Sequence, residues 1–158
     1  MNGEVAENLE AIQRLLKNQS TLVLGTVGAG HQPHTTPLFY LTGPELAVYW
    51  FSSPSSLHSR NLQRDSQASI SVYAPTERWN EICGVQMQGT VEKIGSRALR
   101  RQISQAYRER FHLSSIFRVT MARSGLYEFR PAWVRYLDNR KHFGFKFEMK
   151  ISQIPPTV

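Results

Sequence analysis

A chain of 158 residues, 41% hydrophobic and 20% charged, is long enough for one well-buried core, too short for two comfortable domains, and too apolar to stay disordered. A single cysteine, Cys83, excludes an internal disulfide, and five scattered histidines supply no group with zinc-ligand spacing. The 19 Lys+Arg against 12 Asp+Glu give a formal charge of +7; the arginines are spread along the chain with no nucleic-acid-binding signature beside them, so a solvated basic face is expected rather than a nucleic-acid partner.

The elements follow in chain order. Val5, Leu9, Ile12, Leu15 and Leu16 recur at spacings of three and four, which predicts an amphipathic helix over 3–18, with Asn2 as its cap and Glu4 and Glu7 at the positive end of the dipole. Ser20 to Val27 is β-rich, Gly28 to His31 reads as a turn, and Pro33 to Leu41 reads as a second strand. Pro33 and Pro37 disfavour an uninterrupted central ladder there. After the turn Thr42-Gly43-Pro44, the run Leu46 to Phe51 is a third strand.

That strand stops at Ser52-Ser53-Pro54, after which Leu57, Asn61 and Leu62 take up helical spacing. Ser53 suits an N-cap and Pro54 the first helical position, because proline lacks the N–H that would go unpaired there. A helix start of this kind is a natural anion site, with serine hydroxyls at Ser52, Ser53, Ser55 and Ser56 and cations at His58 and Arg60. The same letters also spell an ordinary capped strand-to-helix turn.

Gln67 to Tyr73 alternates with period two, as a half-buried strand does. A polar loop follows, and Ile82 to Ile94 is a long strand interrupted by Gly89, which marks a bulge or a close backbone approach. Ser96 then caps a helix running to Phe111, with Leu99, Ile103, Ala106 and Tyr107 inward and Arg97, Arg100, Arg101 and Arg108 outward. Gly125 to Phe129 and Trp133 to Leu137 read as two strands, Phe143 to Met149 as a last one, and the tail 151–158 as frayed. Strands and helices do not alternate regularly, so the fold class expected is mainly β: an antiparallel barrel with helices outside, one domain over 1–158. No apolar run approaches the roughly 20 residues that span a bilayer, and the N-terminus is acidic where a signal peptide is basic, so a cytoplasmic protein with no membrane partner is expected.

These residues resemble a known family, the FMN-binding split barrels related to pyridoxamine 5'-phosphate oxidase, and in their ending an uncharacterised branch of short bacterial members. The resemblance rests on Phe51-Ser52-Ser53 followed by His58-Ser59-Arg60-Asn61-Leu62, on Gly84-Val85-Gln86-Met87-Gln88-Gly89, and on Tyr136-Leu137-Asp138-Asn139 with Phe143-Gly144-Phe145-Lys146. It implies a six-stranded antiparallel split β-barrel, a homodimer with FMN at the subunit interface, and a flavin oxidoreductase acting on a small-molecule substrate with a nicotinamide electron donor. The cofactor-binding residues it implies begin with Thr36, Leu38 and Phe39, whose backbone lies against the flavin ring. Phe51, Ser52, Ser53, Ser56 and Leu57 stand around the phosphate, His58 takes the place of the phosphate-binding lysine, and Gln86 lies on a strand that reaches the flavin. Arg60 and Arg78 are further cations able to assist His58. The Arg-x-His-x-Arg substrate signature of true pyridoxamine phosphate oxidases is replaced by Tyr136-Leu137-Asp138-Asn139-Arg140, so that activity is not implied.

No acid, base or nucleophile need appear as a motif, because flavin carries the hydride chemistry itself. Trp79, Trp133 and Lys146 are candidates for the substrate side, set against packing at a dimer interface for the tryptophans and simple solvation for the lysine. Cys83 reads as a small buried apolar residue. Alternatives are a non-enzymatic flavin-binding module, the deazaflavin F420 in place of FMN, and a haem-binding or haem-handling barrel using one of His31, His34, His58, His112 or His142.

Overall fold

The computed structural model describes residues 3–153, with the side chains at 115, 116, 118 and 153 left aside; Asn2 and 154–158 of the tail lie outside the described residues, while the first part of the stretch expected to fray, Ile151–Gln153, is a short 3-10 helix with Ile151 packed against the core. The elements are α1 (Gly3–Asn18), β1 (Thr21–Val27), β2 (Pro33–Phe39), β3 (Leu41–Thr42), β4 (Val48–Ser52), α2 (Leu57–Arg64), β5 (Gln67–Tyr73), β6 (Cys83–Lys93), α3 (Arg97–Phe111), α4 (Ser115–Arg123), β7 (Gly125–Asp138) and β8 (Lys146–Lys150). All ladders are antiparallel, in the order β2-β1-β5-β6-β7-β4-β3, with β8 added to β7.

The two ends of this sheet, β2 and β3, are consecutive in the chain. Tyr40 joins them, fully buried, with its hydroxyl donating to the Leu16 carbonyl at 2.6 Å. The sheet therefore curls until its ends meet at a covalent corner without completing a ladder, which is a split barrel. Pro33 and Pro37 sit on an edge strand, where a missing N–H breaks no pair on the solvent side. The barrel interior holds Leu24, Val48, Trp50, Val72, Val85 and Phe129, and α1 contributes Ile12 and Leu16 to the same core. A second cluster, with Tyr49, Leu126, Ile103 and Tyr107, fastens α3 to the outer face of β3, β4 and β7. Arg110 ties the helices together by donating to the carbonyls of Lys17 and Gln19 at the end of α1.

Four sequence expectations are corrected. The sheet has eight strands rather than six, because two-residue β3 and short β8 are hydrogen-bonded members. The strands expected over 125–129 and 133–137 are one strand of 14 residues. Its first half pairs with β4 and its second with β8, while β6 runs along the other side throughout. Pro131 does not break it because the proline falls at a bulge: the register passes from Gln88↔Trp133 to Gly89↔Pro131. The last strand begins at Lys146, not at Phe143, and α4 was not expected at all.

The expected break at Gly89 is confirmed, with its cause. A Cβ there would collide with the Arg130 carbonyl oxygen and stand 2.8 Å from Pro131 Cα, whereas one on Gly95 would meet nothing within 4 Å. Gly89→Ala therefore lowers the stability by about 1–3 kcal/mol in urea unfolding, and Gly95→Ala changes it by less than about 0.5 kcal/mol. Equal midpoints for the two variants would show that the β6–β7 crossing does not depend on a bare backbone.

Candidate functional site

The strand-to-helix corner after β4 is built by serine chemistry. Ser52 closes the strand, the Ser53 carbonyl accepts from the Ser56 N–H at 3.1 Å, and Pro54 and Ser55 form the turn. The cap of α2 is Ser56 rather than Ser53: its hydroxyl accepts from the Ser59 N–H at 3.3 Å. Pro54 accordingly stands ahead of the helix and not at its first position. The expectation missed this because both serines satisfy the cap preference, and only the turn that Ser53 and Pro54 make decides between them.

His58 is buried, 6% exposed, and turned into this corner. Its Nε2 lies 2.6 Å from Ser52 Oγ and 3.0 Å from Ser56 Oγ. Burial is the main cause that pulls its pKa below the ordinary 6.5, with the charge of His34 adding to it. The ring is therefore held neutral near pH 7, an organiser of two hydroxyls rather than a cation. Arg60, exposed, folds one guanidinium nitrogen back onto the Ser55 carbonyl at 2.8 Å and brings a permanent charge to the same turn.

The Asn-Leu pair of the motif has a mechanical role. Asn61, buried, donates to Thr26 Oγ1 at 3.1 Å and accepts from Arg64 at 3.2 Å, pinning α2 against β1, while Leu62 enters the core beside it. Between α2 and the β1–β2 turn opens a cleft of about 640 Å³, lined by Gly28, His34, Leu57, Arg60, Asn61 and Arg64. His34 lines that cleft while its charge acts on His58, and its Nε2 lies 3.0 Å from Thr36 Oγ1. The serine corner and the cleft are thus two flanks of one helix. His34 and Arg64 were absent from the expected cofactor set, although the period-two burial of β2 already places His34, Thr36 and Leu38 on one face.

The expected residues divide between two faces. Thr36 and Leu38 share a face of β2 with His34, and Ser52, Ser53, Ser56, Leu57 and His58 form the corner. Phe39 and Phe51 instead point toward α3, joined through a row of rings in which Phe39 meets Phe111 at 4.9 Å and Phe51 meets Tyr107 at 5.3 Å. Gln86 stands on the barrel's outer face in a shallow groove of about 380 Å³ with Thr35, Ser69, Ser71, Trp133 and Arg135. There it accepts from Arg135 at 3.4 Å, and Arg135 also lies over the Trp133 ring and pairs with Glu148. Arg78 is paired with Glu81 on an exposed loop.

Cys83 is buried as expected but is not in apolar company. The Tyr136 hydroxyl is 3.5 Å away and Arg140 Nη2 3.1 Å away, while Asp138 accepts from Tyr136 at 2.7 Å and twice from the Arg140 side chain at 2.7 and 2.8 Å. Burial pushes the Asp138 carboxyl up, but the bonds from Arg140 and Tyr136 outweigh it and bring its pKa down to about 2. Arg140 is committed to this network. The described residues contain no cluster able to hold a metal ion, and no helix among them is long and apolar enough to cross a membrane.

The architecture recurs among solved structures. A Clostridium acetobutylicum protein related to general stress protein 26, of the pyridoxinephosphate oxidase family, superposes with a TM-score of 0.69 at 14% identity, over 93% of this chain and 96% of that one. HutZ, the haem storage protein of Vibrio cholerae, gives 0.66 at 20% identity over 77% and 88%. A FAD-binding protein of Mesorhizobium loti gives 0.60 at 16% over 79% and 90%. At these identities the likeness establishes the split-barrel fold alone. No curated protein sequence matches the chain. The family described as pyridoxamine 5'-phosphate oxidase matches residues 9–138, from the first helix to the end of β7, and the chain belongs to that family.

Proposed function

We propose that the protein binds FMN and works as a flavin-dependent oxidoreductase, as a homodimer that closes over the cofactor. The observation that carries this is the serine corner at the start of α2: hydroxyls of Ser52, Ser53 and Ser56, the first-turn amides of Leu57 and His58, and Arg60 converge on one turn. That donor set suits a phosphate monoester, since unpaired helix amides and a guanidinium supply both hydrogen bonds and charge. His58 holds the hydroxyls in place and Arg60 supplies the cation. Beside this corner β2 is a sheet edge, so the backbone of Thr36 and Leu38 can meet the rim of a flat heterocycle, whereas the Phe39 carbonyl accepts from the Tyr107 hydroxyl at 2.8 Å. Gln86 and Trp133, on the outer face, serve the partner subunit's side of the site.

Bound flavin supplies two-electron hydride chemistry. The chain's own residues anchor the phosphate, orient the ring along the β2 edge and, through the second subunit, exclude water. Oxidation of pyridoxamine phosphate is disfavoured, because Arg140 is closed onto Asp138 and is not free to receive a substrate phosphate. The substrate is a small organic molecule reduced at the expense of a nicotinamide donor.

The protein as purified, or after incubation with FMN, is expected to show flavin absorption bands and to turn over NADH or NADPH with an acceptor. A Soret band without flavin would replace this proposal with a haem-binding one, and a flavin that binds but never cycles would leave a binding module. Ser52→Ala combined with His58→Gln should weaken FMN by about tenfold or more, the loss of one to two charge-assisted hydrogen bonds, while leaving riboflavin, which lacks the phosphate, unaffected. Equal losses for both ligands would move the phosphate elsewhere.

His58 also gives a pH signature. Its folded-state pKa is below 6.5, so on acidification the unfolded chain takes up the proton first, and stability falls as pH drops through about 6.5. Asp138 contributes separately, its share being lost only between its ordinary 3.8 and about 2. In urea unfolding between about pH 5 and 8, His58→Gln should flatten the slope; an unchanged slope would mean that the imidazole is not kept neutral by the fold.

A further inference from the structure

On the side of the molecule that carries α3 and α4, a groove of about 330 Å³ runs between α3 and the last turn of α4. Its walls are Arg97, Arg100, Arg101 and Arg108, and its floor is Met121 and Ala122. Positions 97, 101, 104 and 108 recur at intervals of four, three and four, one face of the helix. At 1.5 Å rise per residue, the guanidinium groups step along the axis by about 6 and about 10 Å.

The four arginines are not equivalent. Arg100 is structural: it donates to the carbonyls of Met121 at 2.6 Å and Ser124 at 2.8 Å, capping the end of α4, and lies over the Phe51 ring. Arg108 gives only its Nε to the Ser104 carbonyl. Arg97 and Arg101 have no hydrogen-bond or ion-pair partner among the described residues. Carboxylate pairs among the described residues, Arg78–Glu81, Arg130–Glu128, Arg135–Glu148 and Arg140–Asp138, lie elsewhere. Among the described residues no acidic one lines the groove. Like charges gathered on one concave surface repel one another, and a ligand of opposite sign relieves that repulsion.

The floor says what else the ligand carries. Met121, part of the second hydrophobic cluster, and exposed Ala122 are the apolar lining, and one turn earlier on α4, on the same side as Met121 by its i, i+4 spacing, Phe117 stands 51% exposed. A bare polyanion leaves this apolar surface wet. An acidic amphipathic helix covers it, setting apolar side chains on Phe117 and Ala122 and carboxylates at one-turn intervals against Arg97, Arg101 and Arg108. We infer that the α3–α4 groove is a docking surface for an acidic amphipathic helix of a protein partner, separate from the serine corner.

The test is fluorescence anisotropy of the full chain with a labelled peptide of two heptads, leucine at the apolar positions and glutamate elsewhere. The peptide should bind, weaken at least threefold between about 50 and 200 mM salt, and lose about tenfold in affinity against Arg97→Gln/Arg101→Gln/Arg108→Gln, substitutions on wholly or partly exposed side chains. Phe117→Ser should weaken the peptide and leave a single-stranded oligothymidylate unaffected. The inference is overturned if the variants bind the peptide as the parent does, if a sequence-scrambled peptide of the same composition binds equally well, or if the oligothymidylate binds more tightly than the peptide.

Discussion

Strand β7 is the member on which the barrel depends. It touches three other strands, and it can do so only because it bends at Pro131 where β6 presents a glycine. Before the bulge, β7 binds β4 and so fixes where Ser52 ends. After the bulge it binds β8 and carries Tyr136 and Asp138 to the opposite end of the barrel. A side chain at Gly89 would push the two strands apart and separate these halves, so one backbone contact sets the spacing between the serine corner and the Asp138 network.

Buried carboxylates accompany both halves of β7. Glu128 accepts from Tyr49 at 2.6 Å and pairs with Arg130 at 2.9 Å; burial first, and then the Glu128 hydrogen bond, pushes the Tyr49 hydroxyl up to about 12. Asp138 is held in the same manner by a tyrosine and an arginine. In each case the arginine is largely exposed and the carboxylate nearly buried. The charge is thus neutralised from the solvent side, where little desolvation of the guanidinium is needed. The tyrosine supplies the bond from within. Glu128 thus ties β7 to Tyr49 on β4, and Asp138, at the end of β7, is held well below the usual carboxylate range by its two partners.

Much of this was legible in the sequence because it is written in local periods. The burial of α1, the alternation in β5 and β6, the edge prolines of β2 and the glycine of the bulge each follow from spacing over a few residues. What escaped depends on contacts between distant residues. Ser53 and Ser56 are equal candidates for a cap until the turn is known. Pro131 looks like a strand breaker until Gly89 is placed opposite it, 42 positions away in the register. Cys83 looks apolar until Tyr136 and Arg140 arrive from the far end of the chain. The candidate corner was legible as a position and not as a set of roles: the family pattern pointed to it, but only burial distinguishes a histidine that bonds serines from one that would face a phosphate.

That distinction changes how the corner works. A lysine at position 58 would bring its charge to the phosphate on a flexible stem. A histidine there is too short to leave the corner and too buried to stay protonated, so its contribution becomes orientation. In the proposed site the cation then lies two residues along the helix at Arg60, whose guanidinium reaches back over the Ser55 carbonyl. On the proposed reading the cation at the corner is thus separate from the imidazole, while the hydroxyl geometry still depends on it. The arrangement also leaves Arg60 shared between the serine corner and the cleft that holds Arg64 and His34, so a phosphate at the corner and a second anionic group in the cleft would compete for the same guanidinium.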